Sequence, residues 1–145
     1  MKNNILLAFV SLIFLSLIIG GSSCKNVSKE EQELVFKQSI KRGKMIYADM
    51  CKVCHLPSGE GKVKIYPPLA KSDYLMENRE ASIRAVKYGM KGKITVNGIR
   101  YNKRMSKPGL DNDEVADVMN YITNSWGNKN DKMITEKEVE NISKE

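Results

Sequence analysis

Cys51-Lys52-Val53-Cys54-His55 limits this chain more than any other stretch of it. Two thiols one helical turn apart, with an imidazole directly behind them, match the Cys-x-x-Cys-His spacing at which c-type haem is attached. The chemistry accounts for each residue type. Both sulfurs form thioethers with the two vinyl groups of the macrocycle, and the adjoining histidine turns a ring nitrogen to the iron. Competing uses of such a pair are poorly supplied. A structural zinc site takes four Cys or His ligands, yet His55 is the chain's single histidine and the third cysteine, Cys24, lies in a different setting. A thioredoxin-like redox pair expects a strand before it in a parallel-sheet pattern, whereas helical periodicity precedes Cys51. A plain disulfide leaves His55 without a role.

The start of the chain agrees with attachment outside the bacterial cytoplasm. Met1-Lys2-Asn3-Asn4 is followed by an almost wholly apolar run from Ile5 to Ile19, then Gly20-Gly21-Ser22-Ser23-Cys24. A basic start, a short apolar core and small residues describe a secretory signal over residues 1–23. The core is too short for a membrane-spanning helix, which needs about 20 residues. Cys24 directly after small residues looks like a bacterial lipoprotein junction, with Cys24 as the lipidated first residue. Gly21 stands where such signals usually carry leucine, so an ordinary cleaved signal or an uncleaved anchor stays open. Two acyl chains at Cys24 would hold the domain stably on the membrane.

Beyond that junction, residues 24–35 are polar and read as a tether, and residues 128–145 as a polar tail with too few apolar residues to bury. Residues 36–127 carry the domain. Phe36, Ile40, Gly43, Tyr47 and Met50 recur at spacings of four and three, one face of a helix leading into the cysteines. Gly43 costs helix stability, so its place on that face predicts close contact with another helix. The partner is a helix opening at Asp111 with Glu114 and carrying Val115, Val118, Met119, Ile122 and Trp126, with Gly127 as its end. Asn78 caps a shorter helix with Ile83 and Val86 that ends at Gly89, and Asn97-Gly98 between alternating apolar residues predicts a small hairpin. A domain of this size has a marginal core, which a buried cofactor would help to fill.

At these positions the chain resembles class I monohaem cytochromes c, especially the small bacterial forms. The resemblance rests on Gly43-x-x-x-Tyr47-x-x-x-Cys51-x-x-Cys54-His55, then Tyr66-Pro67-Pro68-Leu69-Ala70. Val96-Asn97-Gly98 through Tyr101-Asn102 to Met105 follows, and last Tyr121 with Ser125-Trp126-Gly127. It implies an all-α fold with the first and last helices packed across one covalent haem c and shorter helices and loops around it. It implies Cys51 and Cys54 as attachment points and His55 and Met105 as axial iron ligands. Pro67 would accept the histidine's Nδ1 proton, and Leu69 would lie on the haem face. Ser106 follows Met105 where the family usually has proline, which arrives only at Pro108; Met90 therefore remains a second candidate for the sixth position.

With both axial sites filled, the resemblance implies a single-electron carrier and no enzyme, relaying to an exported oxidase or reductase. A haem sensor or enzyme with an open sixth position is the alternative. The chain carries 24 Lys and Arg against 17 Asp and Glu. No basic run is dense enough for nucleic acid, and the excess predicts redox partners with acidic docking patches; the expected form is a monomer, held on the periplasmic side through the lipidated Cys24.

Overall fold

The computed structural model describes residues 28–144. The signal segment and Cys24 lie outside the described residues. Ser28 opens helix α1 (Lys29–Ile46), its hydroxyl accepting the Glu31 N–H at 3.2 Å, with Glu30 and Glu31 favourably placed in the first turn. The helix therefore starts inside the stretch read as a tether. A π-helical turn, Tyr47–Cys51, continues it; Lys52 N–H reaches back five residues to the Tyr47 carbonyl. Helix α2 (Lys52–His55) follows, then a long loop, α3 (Asp73–Glu77), α4 (Arg79–Tyr88), strands β1 (Ile94–Val96) and β2 (Ile99–Tyr101), α5 (Asn112–Ile122) and α6 (Glu136–Asn141).

The core forms where α1 crosses α5. A Cβ on Gly43 would lie 2.0 Å from the Asp117 carbonyl oxygen and 2.9 Å from Tyr121 Cβ. Only a residue without a side chain lets these backbones meet, which is the contact expected from the sequence. The buried line on α1 is Ser39, Gly43 and Tyr47. Phe36 and Ile40 are only half-buried, and Met50 is exposed. The π turn supplies the reason for Met50: a wider turn rotates every residue after Tyr47 off the stripe.

Ser39 and Asp117 tie the crossing together. Asp117 is buried; it accepts from Ser39 Oγ at 2.7 Å and from two nitrogens of Arg42. The carboxylate is thus paired and hydrogen-bonded, as a buried charge must be. Arg42 in turn has its pKa raised, chiefly by this bond.

Two further elements match the sequence reading. Glu114 reaches back to the Asp111 N–H at 3.0 Å to open α5. Strands β1 and β2 pair antiparallel, Ile94 opposite Tyr101 and Val96 opposite Ile99, around Asn97 and Gly98, which both have positive φ. The hairpin tip is fastened to α3: Asp73 Oδ1 accepts Asn97 N–H at 2.7 Å, and Asn97 Oδ1 accepts Asp73 N–H at 3.0 Å.

Two expectations need correction. Helix α5 ends at Ile122, short of Gly127. Thr123 Oγ1 and Ser125 Oγ donate to the Met119 and Tyr121 carbonyls, and Asn124 Nδ2 to the Asn120 carbonyl, so side chains take the acceptors a continuing helix would use. The segment after residue 127 is also no loose tail. Ile134 and Val139 are fully buried and Ile142 nearly so. Asn120 pins the segment, accepting Ile134 N–H at 2.7 Å and donating to the Ile134 carbonyl at 2.8 Å. Arg79 pairs with Glu138, and Lys87 donates to the Val139 carbonyl. We expect Ile134→Ala to lower unfolding free energy by about 2–5 kcal/mol, measured by denaturant titration; an unchanged midpoint would show that the segment contributes nothing.

Candidate functional site

A cavity of about 530 Å³ opens among α2, the loop that follows it, α4, the hairpin, the 103–108 segment and the inner face of α5. Cys51, Cys54, His55, Pro67, Leu69, Met90 and Met105 all line it. The two thiols, the histidine, both candidate methionines and the two expected haem-environment residues, Pro67 and Leu69, therefore come to one place. Leu75, Val86, Val118 and Ile122 supply apolar wall.

The histidine is held in one state. His55 Nδ1 lies 3.0 Å from the Pro67 carbonyl oxygen. A carbonyl can only accept, so Nδ1 carries the proton and the Nε2 lone pair is left free. Burial lowers the pKa of His55, outweighing the Pro67 bond that would raise it, and so keeps the ring neutral near pH 7. A neutral imidazole with a fixed tautomer is the form that binds a metal.

The loop after α2 is folded to deliver that carbonyl. Gly61 N–H donates to the His55 carbonyl at 2.9 Å, and Lys62 and Tyr66 exchange backbone hydrogen bonds at 2.8 Å each. Gly59 O accepts from Leu69 and Ala70 N–H at 2.7 and 2.9 Å. Gly61 has φ +63°, and a Cβ there would fall 2.4 Å from the Tyr66 oxygen and 2.6 Å from the Pro67 oxygen. Sequence reasoning passed over Gly61, although its neighbour Gly59 and the following Pro67-Pro68 mark a constrained loop.

The thiols stand at the end of the π turn. Both are unpaired, with no disulfide between them. Burial, with Cys54 nearby, pushes the Cys51 thiol up to about 11, so it is protonated at neutral pH. Tyr66, quoted in the sequence only as part of its motif, gains a specific neighbour: Cys54 raises its pKa, and the phenol hydrogen-bonds that sulfur. Behind them Tyr47 donates to the Leu56 carbonyl at 2.6 Å. Its ring stacks at a tilt against Trp126, with centroids 4.9 Å apart, and lies 5.5 Å from that of Tyr121. Trp126 thus packs in an aromatic cluster, as its core reading expected, while Tyr101 is buried and lines the cavity.

Met90 and Met105 both reach the cavity wall, and Met105 alone of the two packs on the main core cluster. Ser82 adds a polar point that sequence did not suggest, a buried hydroxyl with no hydrogen-bond partner. Among the described residues, no cluster of three or more His, Cys, Asp or Glu forms a metal site, so the zinc reading finds no ligand set there. The donor set fits haem c: two thiols for the vinyl groups, a neutral imidazole with a free Nε2, thioether sulfurs, and apolar walls around a volume typical of ligand pockets. Gly61→Ala should lower the thermal midpoint and reduce the yield of haem-bearing protein, because its Cβ displaces the Pro67 carbonyl. Wild-type yield and midpoint would show that the loop has slack to spare.

Comparison with known proteins agrees with the geometry. Residues 40–126 match the family described as Cytochrome c. Cytochrome c-552 of Thermus thermophilus is 37% identical over 109 residues, spanning 69% of this chain and 82% of that protein. The cytochrome c subunit of a quinone alcohol dehydrogenase from Gluconacetobacter polyoxogenes is 28% identical over 102 residues, spanning 64% of this chain and 20% of that subunit. With the Cys51-x-x-Cys54-His55 motif on the wall of a fitting cavity, the chain belongs to the cytochrome c family, as an electron carrier of the class I fold that binds covalent haem c.

Proposed function

We propose that this chain is an exported, membrane-tethered relay that passes single electrons to an oxidase or reductase. Haem c, when bound, supplies a one-electron iron couple. Cys51 and Cys54 are the thioether positions, and His55 offers Nε2 to the metal. Met105 would be the sixth ligand, favoured over Met90 by its packing on the core. Pro67 fixes the histidine tautomer, and Leu69 lines the pocket with apolar surface. The observation that carries this reading is the convergence of two thiols, one tautomer-locked imidazole and a thioether on one cavity. With His55 and Met105 both bound, the iron would have no open position for a substrate, which favours a carrier over the sensor or enzyme alternative.

Natively expressed wild-type protein should keep its haem stain on a denaturing gel, and Cys51→Ala with Cys54→Ala together should lose it. A bare polypeptide mass for the wild type would defeat the reading.

Partner docking is carried by the surface around the attachment motif. Met50, Val53 and Val63 are exposed at 51%, 78% and 66%, and Lys52, Lys62 and Lys64 lie exposed among them. An apolar rim with interspersed cations suits brief association with an acidic patch on a redox protein. The relatives that serve as subunits of a quinone alcohol dehydrogenase support a protein partner of this kind. Electron transfer to such a partner should slow as ionic strength rises, since salt screens surface charges over about 10 Å at 0.1 M. A rate independent of salt would remove charge-guided docking.

The membrane tether rests on Cys24. No described helix is long and apolar enough to cross a membrane, and a diacylated Cys24 supplies an anchor without one. Metabolic labelling with a palmitate analogue should mark the wild type and leave Cys24→Ala unmarked. Label that persists in the variant would place the lipid elsewhere.

A further inference from the structure

We propose that Met90 is a reserve sixth ligand, able to take the position of Met105 when that sulfur lets go. The inference rests on Met105 being the resident ligand and adds a second group to the same site.

Met90 N–H donates to the Met105 carbonyl at 2.9 Å, and Met105 N–H returns a bond to the Met90 carbonyl at 2.9 Å. The two residues are thus directly opposite partners in an isolated antiparallel bridge. Residues so paired project their side chains on the same face, with Cβ atoms about 4.5–5.5 Å apart. Both residues line the same cavity. Methionine is unbranched and has three rotatable bonds, so either sulfur can sweep the short distance between the two Cβ positions. A point within reach of one thioether is therefore within reach of the other.

The bridge is held tightly. Gly89, at φ +79°, precedes Met90, and a Cβ there would lie 2.7 Å from the Met105 carbonyl oxygen and 2.8 Å from Lys107 N. Backbone lies against backbone, so the end of α4 and the 105–107 segment move as a unit and Met90 stays beside Met105. The exchange is chemically even: one sulfur–iron bond breaks, another of the same kind forms, and no proton or electron is gained or lost. Lys103 and Lys107 also line the cavity and are the competing donors, through nitrogen.

The test uses the full-length haem-bearing protein and three variants, Met105→Leu, Met90→Leu and the double substitution; leucine keeps the volume and removes the sulfur. Ferric optical spectra read the spin state and the weak sulfur-to-iron charge-transfer band, and carbon monoxide binding to the ferrous form reads an open position. Met105→Leu is expected to stay low-spin with a shifted sulfur band and little carbon monoxide binding, while the double variant becomes high-spin or nitrogen-ligated and loses the band. If Met105→Leu matches the double variant, Met90 is no ligand, and the assignment of Met105 stands. If Met90→Leu alone loses the band, the proposal falls together with that assignment, because Met90 is then the resident ligand.

Discussion

Two helices can meet backbone to backbone only where a side chain is missing, and Gly43 is that place. Its approach to the Asp117 carbonyl brings α1 against α5 closely enough for Ser39 and Arg42 to reach one buried carboxylate. Two sides of the site hang from this crossing. The end of α1 runs through the π turn into the cysteines and His55, and the inner face of α5 gives the cavity Val118 and Ile122. A larger residue at 43 would part the helices and open the cavity wall at the same stroke.

The site itself is organised around charge avoidance. The Cys51 thiol is protonated, the imidazole neutral, both methionine donors are uncharged thioethers, and the wall is mostly apolar, with Lys103, Arg104 and Lys107 gathered in one segment. A pocket of that kind holds a largely apolar macrocycle without stranding a buried ion. Cationic side chains are confined to the 103–107 segment of the cavity lining and to the surface, where Lys52, Lys62 and Lys64 stand exposed around the apolar rim. Separation of a dry interior from a charged border lets one small domain bind its cofactor firmly and its partners briefly.

Much of this was legible in the residues, and the exceptions have physical causes. Gly43 declared the crossing because glycine on an apolar helical face is otherwise a cost. Asp111 with Glu114 and Asn97-Gly98 announced local geometry that needs no distant partner, and both formed as read. The start of α1 was missed although Ser28-x-x-Glu31 is a cap signal, because its first turns are exposed and show no apolar period. The docking of Ile134, Val139 and Ile142 was invisible for a different reason: the groups that receive them, Asn120, Arg79 and Lys87, belong to α4 and α5. Asp117 and Ser82 were likewise unremarkable until the fold buried them. The premature end of α5 came from hydroxyl and amide side chains competing for carbonyls, a contest that sequence leaves undecided.

The aromatic corner has a practical consequence. The chain contains a single tryptophan, and Trp126 lies over Gly59 and beside Tyr47 and Tyr121. Tryptophan emission, excited selectively over the six tyrosines, consequently has one origin, placed where the loop behind the histidine meets the segment after α5. The wavelength of that emission, followed during refolding, would record the closing of that corner, and a comparison with far-ultraviolet dichroism would time it against the formation of the helices.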